Sequence, residues 1–153
     1  MQLYFIRHAQ SENNALWYRT GSNQGRSEDP PLTETGWQQA RILAEYLAST
    51  DHGLKPNNRD FQNIDGFELT HLYTSLMERA IATGTLLAEA LDLPLVAWEN
   101  LHEVGGIWRE HAESGARVGQ PGRGRAFFES RFPDLILPGR LDHQGWWNRP
   151  YEE

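Results

Sequence analysis

Three segments of the sequence place histidine, arginine or glutamate directly after an apolar run of strand character. A neutral imidazole is a competent nucleophile near pH 7, and the arginine fork binds phosphate oxygens bidentately. A carboxylic acid can protonate a leaving oxygen as a general acid. The carboxyl ends of parallel strands meet at one edge of a sheet, so we expect these side chains to lie together. The combination predicts phosphoryl transfer through a histidine, carried by Arg7, His8, Arg79 and Glu103.

Strands are needed to bring these residues to a common edge. Apolar runs at residues 2–6, 70–75 and 94–98 predict three strands, and the nearly unbroken apolarity of the first is typical of a strand covered on both faces. Polar residues at 51–68 predict an exposed excursion before the second strand. With a helix between successive strands, the order predicts an α/β fold with a parallel sheet.

The helices between the strands have recognisable starts. Ser11 has the character of a helix N-cap, and a long helix with one buried face is expected from about Thr33. A third helix is predicted to start at Ser75, where Ser75 and Glu78 have the Ser-x-x-Glu spacing of a capping box. This helix is expected to run to about Leu91.

The pattern becomes irregular after residue 103. The glycine-rich residues 115–125 predict a loop whose arginines either are solvated or contact an anionic substrate, and residues 125–132 predict a short amphipathic helix. The pair Trp146 and Trp147 is expected to pack against the site or cover it. Residues 148–153, "NRPYEE", predict the first turn of a further helix, because proline suits the first helical position and glutamates suit the first turn.

Composition excludes several classes of function. The 153 residues are enough for one domain with a real core. A formal net charge of −7 argues against a generic nucleic-acid binder. The chain has no cysteine, which excludes disulfides and thiolate chemistry. No apolar run approaches the roughly 18 residues of a membrane helix, and the N-terminus lacks signal-peptide character, so a cytoplasmic location without a membrane partner is expected.

Four motifs resemble the histidine phosphatase superfamily, the phosphoglycerate mutase-like proteins. "RHAQSENN" resembles that family's Arg-His-Gly-x-Ser-x-x-Asn signature, and "PPLTETGWQQA" resembles its Leu-Thr-x-x-Gly-x-x-Gln-Ala segment. "LYTSLMERAIATG" is similar to its Ser-x-x-x-Arg-Ala-x-x-Thr segment, and "LHEVGGIW" to its Leu-x-Glu segment. The motifs occur in the family's order and span residues 3–108, so together they are far more specific than any one of them.

The resemblance implies a fold and a role for each matching residue. It implies a three-layer α/β/α sandwich around a mostly parallel sheet, with no metal or nucleotide cofactor and with a small phosphorylated substrate as the partner. The implied roles are a phospho-accepting nucleophile (His8), an acid/base carboxylate (Glu103), phosphate-gripping guanidinium groups (Arg7 and Arg79), a pocket asparagine (Asn14) and a serine at the adjoining helix start (Ser11).

The chain also departs from the family pattern. Ala9 stands where the family usually has glycine, and Asn13 stands where the cofactor-dependent mutases typically carry tryptophan, which favours the phosphatase branch. The family's second histidine, in a hydrophobic-Ser-His-Gly context, has no match, since His143 lies in "LDHQGWW". Together with the helix start at residues 148–153, this predicts that residues 1–153 form a single domain whose C-terminal part is missing.

Three functional hypotheses follow. The first is hydrolysis of phosphate monoesters through a phosphohistidine at His8, by an enzyme whose activity as this shortened chain is left open. The second is a phosphoglycerate mutase, which uses the same parts but returns the phosphoryl group to the substrate. The third is an inactive remnant that binds phosphate esters. A homo-oligomer in which a second copy supplies the missing strand is a further possibility.

Overall fold

The structure is a computed structural model that describes residues 2–49, 66–111, 113–141 and 143–152. Most of the polar excursion predicted at residues 51–68 lies outside the described residues. In chain order the described elements are α1 (Glu12–Thr20), α2 (Glu34–Ala48), β1 (Leu72–Thr74), α3 (Glu78–Leu91), β2 (Leu95–Ala97), β3 (Trp108–Glu110), β4 (Arg117–Gly119) and α4 (Arg125–Arg131).

The centre of the fold is a β-α-β unit. Strands β1 and β2 pair in parallel, with Leu72 opposite Leu95 and Thr74 opposite Ala97, and α3 is the crossover helix between them. Because a parallel pair needs a crossover of about a dozen residues, a helix of this length is the expected connection. The structure thus confirms the second and third predicted strands, the helix between them and the α/β class.

Helices α2 and α3 pack against each other and form much of the core. The buried side chains of α3 include Ile81, Ala82 and Leu87, and α2 buries Ala40 and Ala44 on its predicted face. Each fully buried large aliphatic side chain stabilises the fold by about 1.5–3 kcal/mol. Among the described residues, no helix combines the length and apolarity that crossing a membrane would require.

The first predicted strand is absent: residues 2–10 form no strand. Most apolar side chains of residues 2–6 face solvent, with Leu3 69% and Phe5 83% exposed. An apolar run becomes a strand only where a neighbouring strand accepts and donates its backbone hydrogen bonds. Within the described residues no strand lies beside this segment, so its high strand propensity has no partner to satisfy.

A hairpin occupies a region where the sequence predicted only a loop. Strands β3 and β4 pair antiparallel, with Trp108 opposite Gly119 and Glu110 opposite Arg117. Each strand is three residues long and largely exposed, so neither has the alternation of buried and exposed residues by which strands are predicted. The short helix predicted just after this region is confirmed as α4.

The C-terminal segment also corrects the sequence-based prediction. Residues 148–152 form no helix. Instead they lie against β4 so closely that a Cβ on Gly119 would be 2.0 Å from the Arg149 carbonyl oxygen. Trp146 and Trp147 are 7% and 1% exposed and belong to the main hydrophobic core. The two tryptophans therefore pack in the core and do not cover the site.

Candidate active site

The loop at residues 8–11 is fixed by contacts with α2 and α3. The Ala9 amide donates a hydrogen bond to Thr83 Oγ1 of α3 at 3.1 Å, and the Thr33 amide donates one to the Gln10 carbonyl at 3.0 Å. Gly36 of α2 lies directly beneath, because a Cβ there would be 2.1 Å from the Gln10 carbonyl oxygen. The helices therefore determine where this loop lies.

The environment of His8 selects its tautomer. Nδ1 lies 2.7 Å from the Ala9 carbonyl oxygen, and because a carbonyl can only accept, Nδ1 carries the proton and donates it. The lone pair is then on Nε2, which accepts a hydrogen bond from Arg79 Nε at 3.0 Å. The side chain is 9% exposed. Nε2 is therefore unprotonated, as a nucleophile toward phosphorus must be, and its lone pair is held by the hydrogen bond from Arg79.

Arg79 connects the other members of the site. It lies in the first turn of α3 and is 7% exposed. Its Nη2 donates to Glu103 Oε2 at 2.9 Å, and its Nη1 lies 3.8 Å from Asp29 Oδ1. A buried guanidinium needs such acidic partners, because an unpaired buried charge is strongly unfavourable.

Glu103 completes the cluster from the loop after β2. Its Oε1 lies 3.6 Å from His8 Nε2. Hydrogen bonding to the His8 ring in its protonated form, together with the positive charge of Arg79, lowers the pKa of Glu103 to about 2, against the opposing effect of burial. The group is therefore a carboxylate at neutral pH in this state of the molecule.

Asp29 is a member of the site that the sequence did not reveal. Its Oδ1 accepts a hydrogen bond from the Glu78 amide at 3.0 Å, at the start of α3. The predicted Ser75–Glu78 capping box is wrong: α3 is capped at Met77 without a side-chain hydrogen bond, and Asp29 satisfies the Glu78 amide from 49 positions away. Burial raises the pKa of Asp29 to about 6, and its Oδ2 is buried without a hydrogen-bond partner. No sequence signal connects residues so far apart.

The remaining predicted site residues do not join the cluster. Arg7 is exposed, and among the described residues no hydrogen bond or ion pair connects it with His8, Arg79 or Glu103. Ser11 and Asn14 form the capping box of α1, in which Asn14 Oδ1 accepts from the Ser11 amide at 3.0 Å. The phosphate-binding roles of Arg7, Ser11 and Asn14 stay predictions.

No metal-binding cluster occurs in the part of the chain that the structure describes: no three histidine, aspartate or glutamate side chains are grouped to hold an ion.

His102, beside Glu103, packs edge-on against Trp147 with 4.7 Å between ring centroids. Its ring therefore packs against the aromatic core.

An α/β unit that brings a buried histidine, a buried arginine and a carboxylate together defines a class of proteins suited to handling phosphoryl groups. The chain belongs to branch 1 of the histidine phosphatase superfamily, whose family model matches residues 3–54 and 50–139. The fold is accordingly of the α/β, phosphoglycerate mutase-like type.

Curated relatives include both mutases and a phosphatase. The chain is 30% identical over 104 residues to a probable phosphoglycerate mutase from Photorhabdus laumondii, covering 68% of this chain and 38% of that protein. It is 31% identical over 109 residues to phosphoserine phosphatase 1 from Hydrogenobacter thermophilus, covering 71% of this chain and 41% of that protein. A probable phosphoglycerate mutase from Yersinia pestis is 29% identical over 104 residues. The matched part of the chain thus spans about two-fifths of the length of these relatives.

Proposed function

We propose that the chain hydrolyses phosphate monoesters through a phosphohistidine at His8. The observation that supports this most directly is the arrangement around His8 Nε2, with a buried arginine donor at 3.0 Å and a carboxylate at 3.6 Å. Those are the three components of the reaction: a nucleophile, a fixed positive charge and a proton carrier.

In the first step, His8 Nε2 attacks phosphorus and the bond from phosphorus to the leaving oxygen breaks. Arg79 stabilises the charge on the phosphoryl oxygens. The phosphoryl dianion competes with Glu103 for Arg79, and its negative charge raises the pKa of the nearby carboxyl group. Glu103 can therefore bind a proton when substrate is present and deliver it to the leaving oxygen, although it is ionised without substrate.

In the second step, water attacks the phosphohistidine and the bond from phosphorus to Nε2 breaks. Glu103, now a carboxylate, accepts a proton from that water. His8 returns to its neutral form, and its Nδ1 still donates a hydrogen bond to the Ala9 carbonyl oxygen. The hydrogen bond to Ala9 keeps the ring orientation the same in both steps.

A mutase is the second candidate, because the similarity to probable phosphoglycerate mutases is as strong as that to the phosphatase. Asn13 favours hydrolysis, because it stands where the cofactor-dependent mutases of this family typically carry tryptophan. In the structure it holds the neighbouring loop through two hydrogen bonds with the Ser27 backbone, at 2.8 and 2.9 Å. Release of inorganic phosphate from p-nitrophenyl phosphate, compared with interconversion of phosphoglycerates, distinguishes the two reactions.

A phosphate-binding protein without turnover is the third candidate, since the matched segment covers only two-fifths of the relatives' length. Calorimetric titration with inorganic phosphate alongside a turnover assay separates binding from catalysis. We further propose that residues 1–153 act as one domain in the cytoplasm on a small phosphorylated substrate, with no nucleic-acid or membrane partner. Light scattering tests whether a homo-oligomer forms.

The nucleophile is tested with His8→Ala, with His71→Ala as the control at an exposed histidine before β1. We expect His8→Ala to lose at least about a thousandfold of the hydrolysis rate, and His71→Ala to retain it. Quenching wild-type protein with labelled substrate should trap an acid-labile phosphoryl group that His8→Ala lacks. Full activity or undiminished labelling in His8→Ala would contradict the proposal.

A further inference from the structure

Glu103, the carboxylate next to His8, lies on a loop that is neither helix nor strand. Its side chain is 57% exposed, so its own packing does not hold it in place. Its Oε1 nevertheless lies 3.6 Å from His8 Nε2, the distance on which its role as a proton carrier depends. Because a displacement of about 1 Å in such a group can cost much of the rate, the backbone of this loop needs a rigid support.

Two hydrogen bonds converge on the carbonyl oxygen of Glu103. The Gly106 amide donates one of them at 3.1 Å. The His102 Nδ1 lies 3.0 Å from the same oxygen and donates the other, because a carbonyl can only accept. The two donors come from opposite sides of Glu103 in the sequence, so together they fix the backbone of the residue whose side chain approaches His8.

Both donors pack against the same indole ring, that of Trp147. The His102 ring meets it edge-on, with 4.7 Å between ring centroids. Gly106 lies closer still: a Cβ there would be 2.0 Å from Trp147 Cζ2, and its φ of +63° is in the left-handed region. Only glycine combines this backbone conformation with so close an approach to the ring. One side chain therefore contacts both residues that hold the Glu103 carbonyl.

Trp147 is itself held in place by the core. Its side chain is 1% exposed and belongs to the main hydrophobic cluster. Its amide donates a hydrogen bond to the Pro121 carbonyl at 2.9 Å, and the guanidinium carbon of Arg149 lies 5.2 Å from the centroid of its ring. Because protein interiors are close-packed, a buried ring of this size has little freedom to move. The indole thus connects the exposed loop with the rigid core.

The residues just after Trp147 contact the same loop. Glu152 Oε2 lies 3.9 Å from His102 Nδ1. The Tyr151 ring lies against Gly105, where a Cβ would be 2.8 Å from Tyr151 Cε2. The loop is therefore supported along its length by one continuous stretch of chain, with Trp147 as its buried part.

We propose that His102 and Trp147 are positioning residues for Glu103, which hold its backbone so that its carboxyl group reaches the leaving oxygen. The inference rests on the proposed function, because that function makes Glu103 the proton carrier. In the described part of the chain, no hydrogen bond or ion pair joins either side chain to His8 or Arg79. Both residues therefore act through Glu103 and leave the nucleophile and the phosphate-binding arginine unchanged.

Two esters that differ in their leaving group test the proposal. The leaving oxygen of phenyl phosphate is basic and needs a proton, whereas that of dinitrophenyl phosphate is a weak base and leaves without one. kcat/KM is measured for both esters, because it includes only the steps up to release of the leaving alcohol. His102→Ala removes the hydrogen bond and the contact with Trp147, and His102→Phe removes the hydrogen bond but keeps a ring against Trp147.

We expect His102→Ala to lose at least about tenfold of kcat/KM with phenyl phosphate and less than about twofold with dinitrophenyl phosphate. His102→Phe should lie between the wild type and His102→Ala. His111→Ala is the matched control, since it makes the same change at an exposed histidine directly after β3 and should keep both values. An equal loss with both esters in His102→Ala would make the residue merely structural and overturn the proposal, as would no loss with phenyl phosphate.

Hydrogen exchange tests the same support without any turnover. The Gly106 amide should exchange at least about tenfold faster in His102→Ala than in the wild type, and also in Trp147→Phe, which removes the outer part of the indole against Gly106. The Ala97 amide of β2, bonded to another carbonyl, should keep its rate.

Unchanged exchange at Gly106 in both variants would overturn the proposal. Equal acceleration at Gly106 and Ala97 in both variants would mean a general loss of stability and would overturn it too. If Trp147→Phe alone is generally destabilised, His102→Ala decides, because it leaves the buried ring intact. Wild-type protein that hydrolyses neither ester would refute the proposed function, while faster exchange at Gly106 alone would still support the positioning of the Glu103 loop.

Discussion

Residues 2–7 and residues 8–11 are adjacent in the sequence but differ in burial and in hydrogen bonding. The first segment has no regular structure, and Phe5 within it is 83% exposed. The second is bonded to Thr83 and Thr33, lies against Gly36 and contains Ser11, which is 1% exposed. The sharp boundary between them shows that the helix starts, and not the preceding apolar run, position the histidine.

The boundary also divides the Arg-His pair of the motif. His8 lies on the ordered side and meets Arg79 and Glu103, whereas Arg7 lies on the exposed side. Adjacent side chains of an extended backbone point in opposite directions. The Arg7 side chain therefore faces solvent, while the His8 side chain faces the protein. Within the described residues, His8 contacts other members of the candidate site and Arg7 does not.

The largest effect is expected from removing Arg79, which contacts His8 in the ordered segment and also Glu103 and Asp29. Arg79→Ala leaves Asp29 buried without its nearest positive charge and removes the donor to His8. We expect a loss of about 3–5 kcal/mol in the free energy of unfolding, together with a loss of phosphate binding. Urea denaturation and calorimetry measure the two effects, and near-wild-type stability would show that the arginine does not organise the loop.

Gly36→Ala should displace the ordered loop directly. The new Cβ would lie 2.1 Å from the Gln10 carbonyl oxygen, and a backbone atom cannot yield as a flexible side chain would. We expect a loss of about 3 kcal/mol in the free energy of unfolding. Gly139→Ala is the control, because nothing lies within 4 Å of its Cβ position. Equal stabilities of the two variants would mean that the loop does not depend on α2.

Asp29→Asn tests the buried carboxyl group beneath the site. Because the pKa of Asp29 is raised from 3.8 to about 6, its contribution to folding is fully present below about pH 4 and lost as pH rises through 6. The wild type should therefore lose about 2 kcal/mol relative to Asp29→Asn between pH 4.5 and 7.5. Denaturation of both proteins at the two pH values checks this, and a constant difference would be contrary to it.

Glu103 contributes with the opposite sign and in a different pH range. Its pKa is lowered from 4.5 to about 2, so its contribution to stability is present above about pH 4.5 and lost as pH falls toward 2. Comparing wild type with Glu103→Gln below pH 4.5 should show this loss only in the wild type. Because the two ranges differ, the effects of the two carboxyl groups can be measured separately.

The smallest effect is expected on the exposed side of the boundary. Phe5→Ala should change the free energy of unfolding by less than about 0.5 kcal/mol, because the ring is already in solvent. Phe128→Ala, at a fully buried ring in α4, should cost about 3–5 kcal/mol by the same measurement. A large loss in Phe5→Ala would show that residues 2–7 pack in solution.

The sequence alone determined the elements that have a strong local pattern. The apolar runs of β1 and β2, with a helix expected between them, were enough to predict the central β-α-β unit, the one-face spacing of α2 predicted a further helix, and four ordered motifs indicated the family. The candidates His8, Arg79 and Glu103 followed from residue type and motif, without knowledge of their contacts. These features are local, and local patterns can be read along the chain.

Only the tertiary structure decided the rest. Whether residues 2–6 form a strand depends on a neighbouring strand, and the capping of α3 depends on Asp29, 49 positions before Glu78. The stacking of Arg26 and Arg117 on Trp108 likewise joins three separate segments. Backbone hydrogen bonds, buried charges and cation–π contacts are satisfied by whichever group folding brings near, so their partners are determined in space and not in sequence.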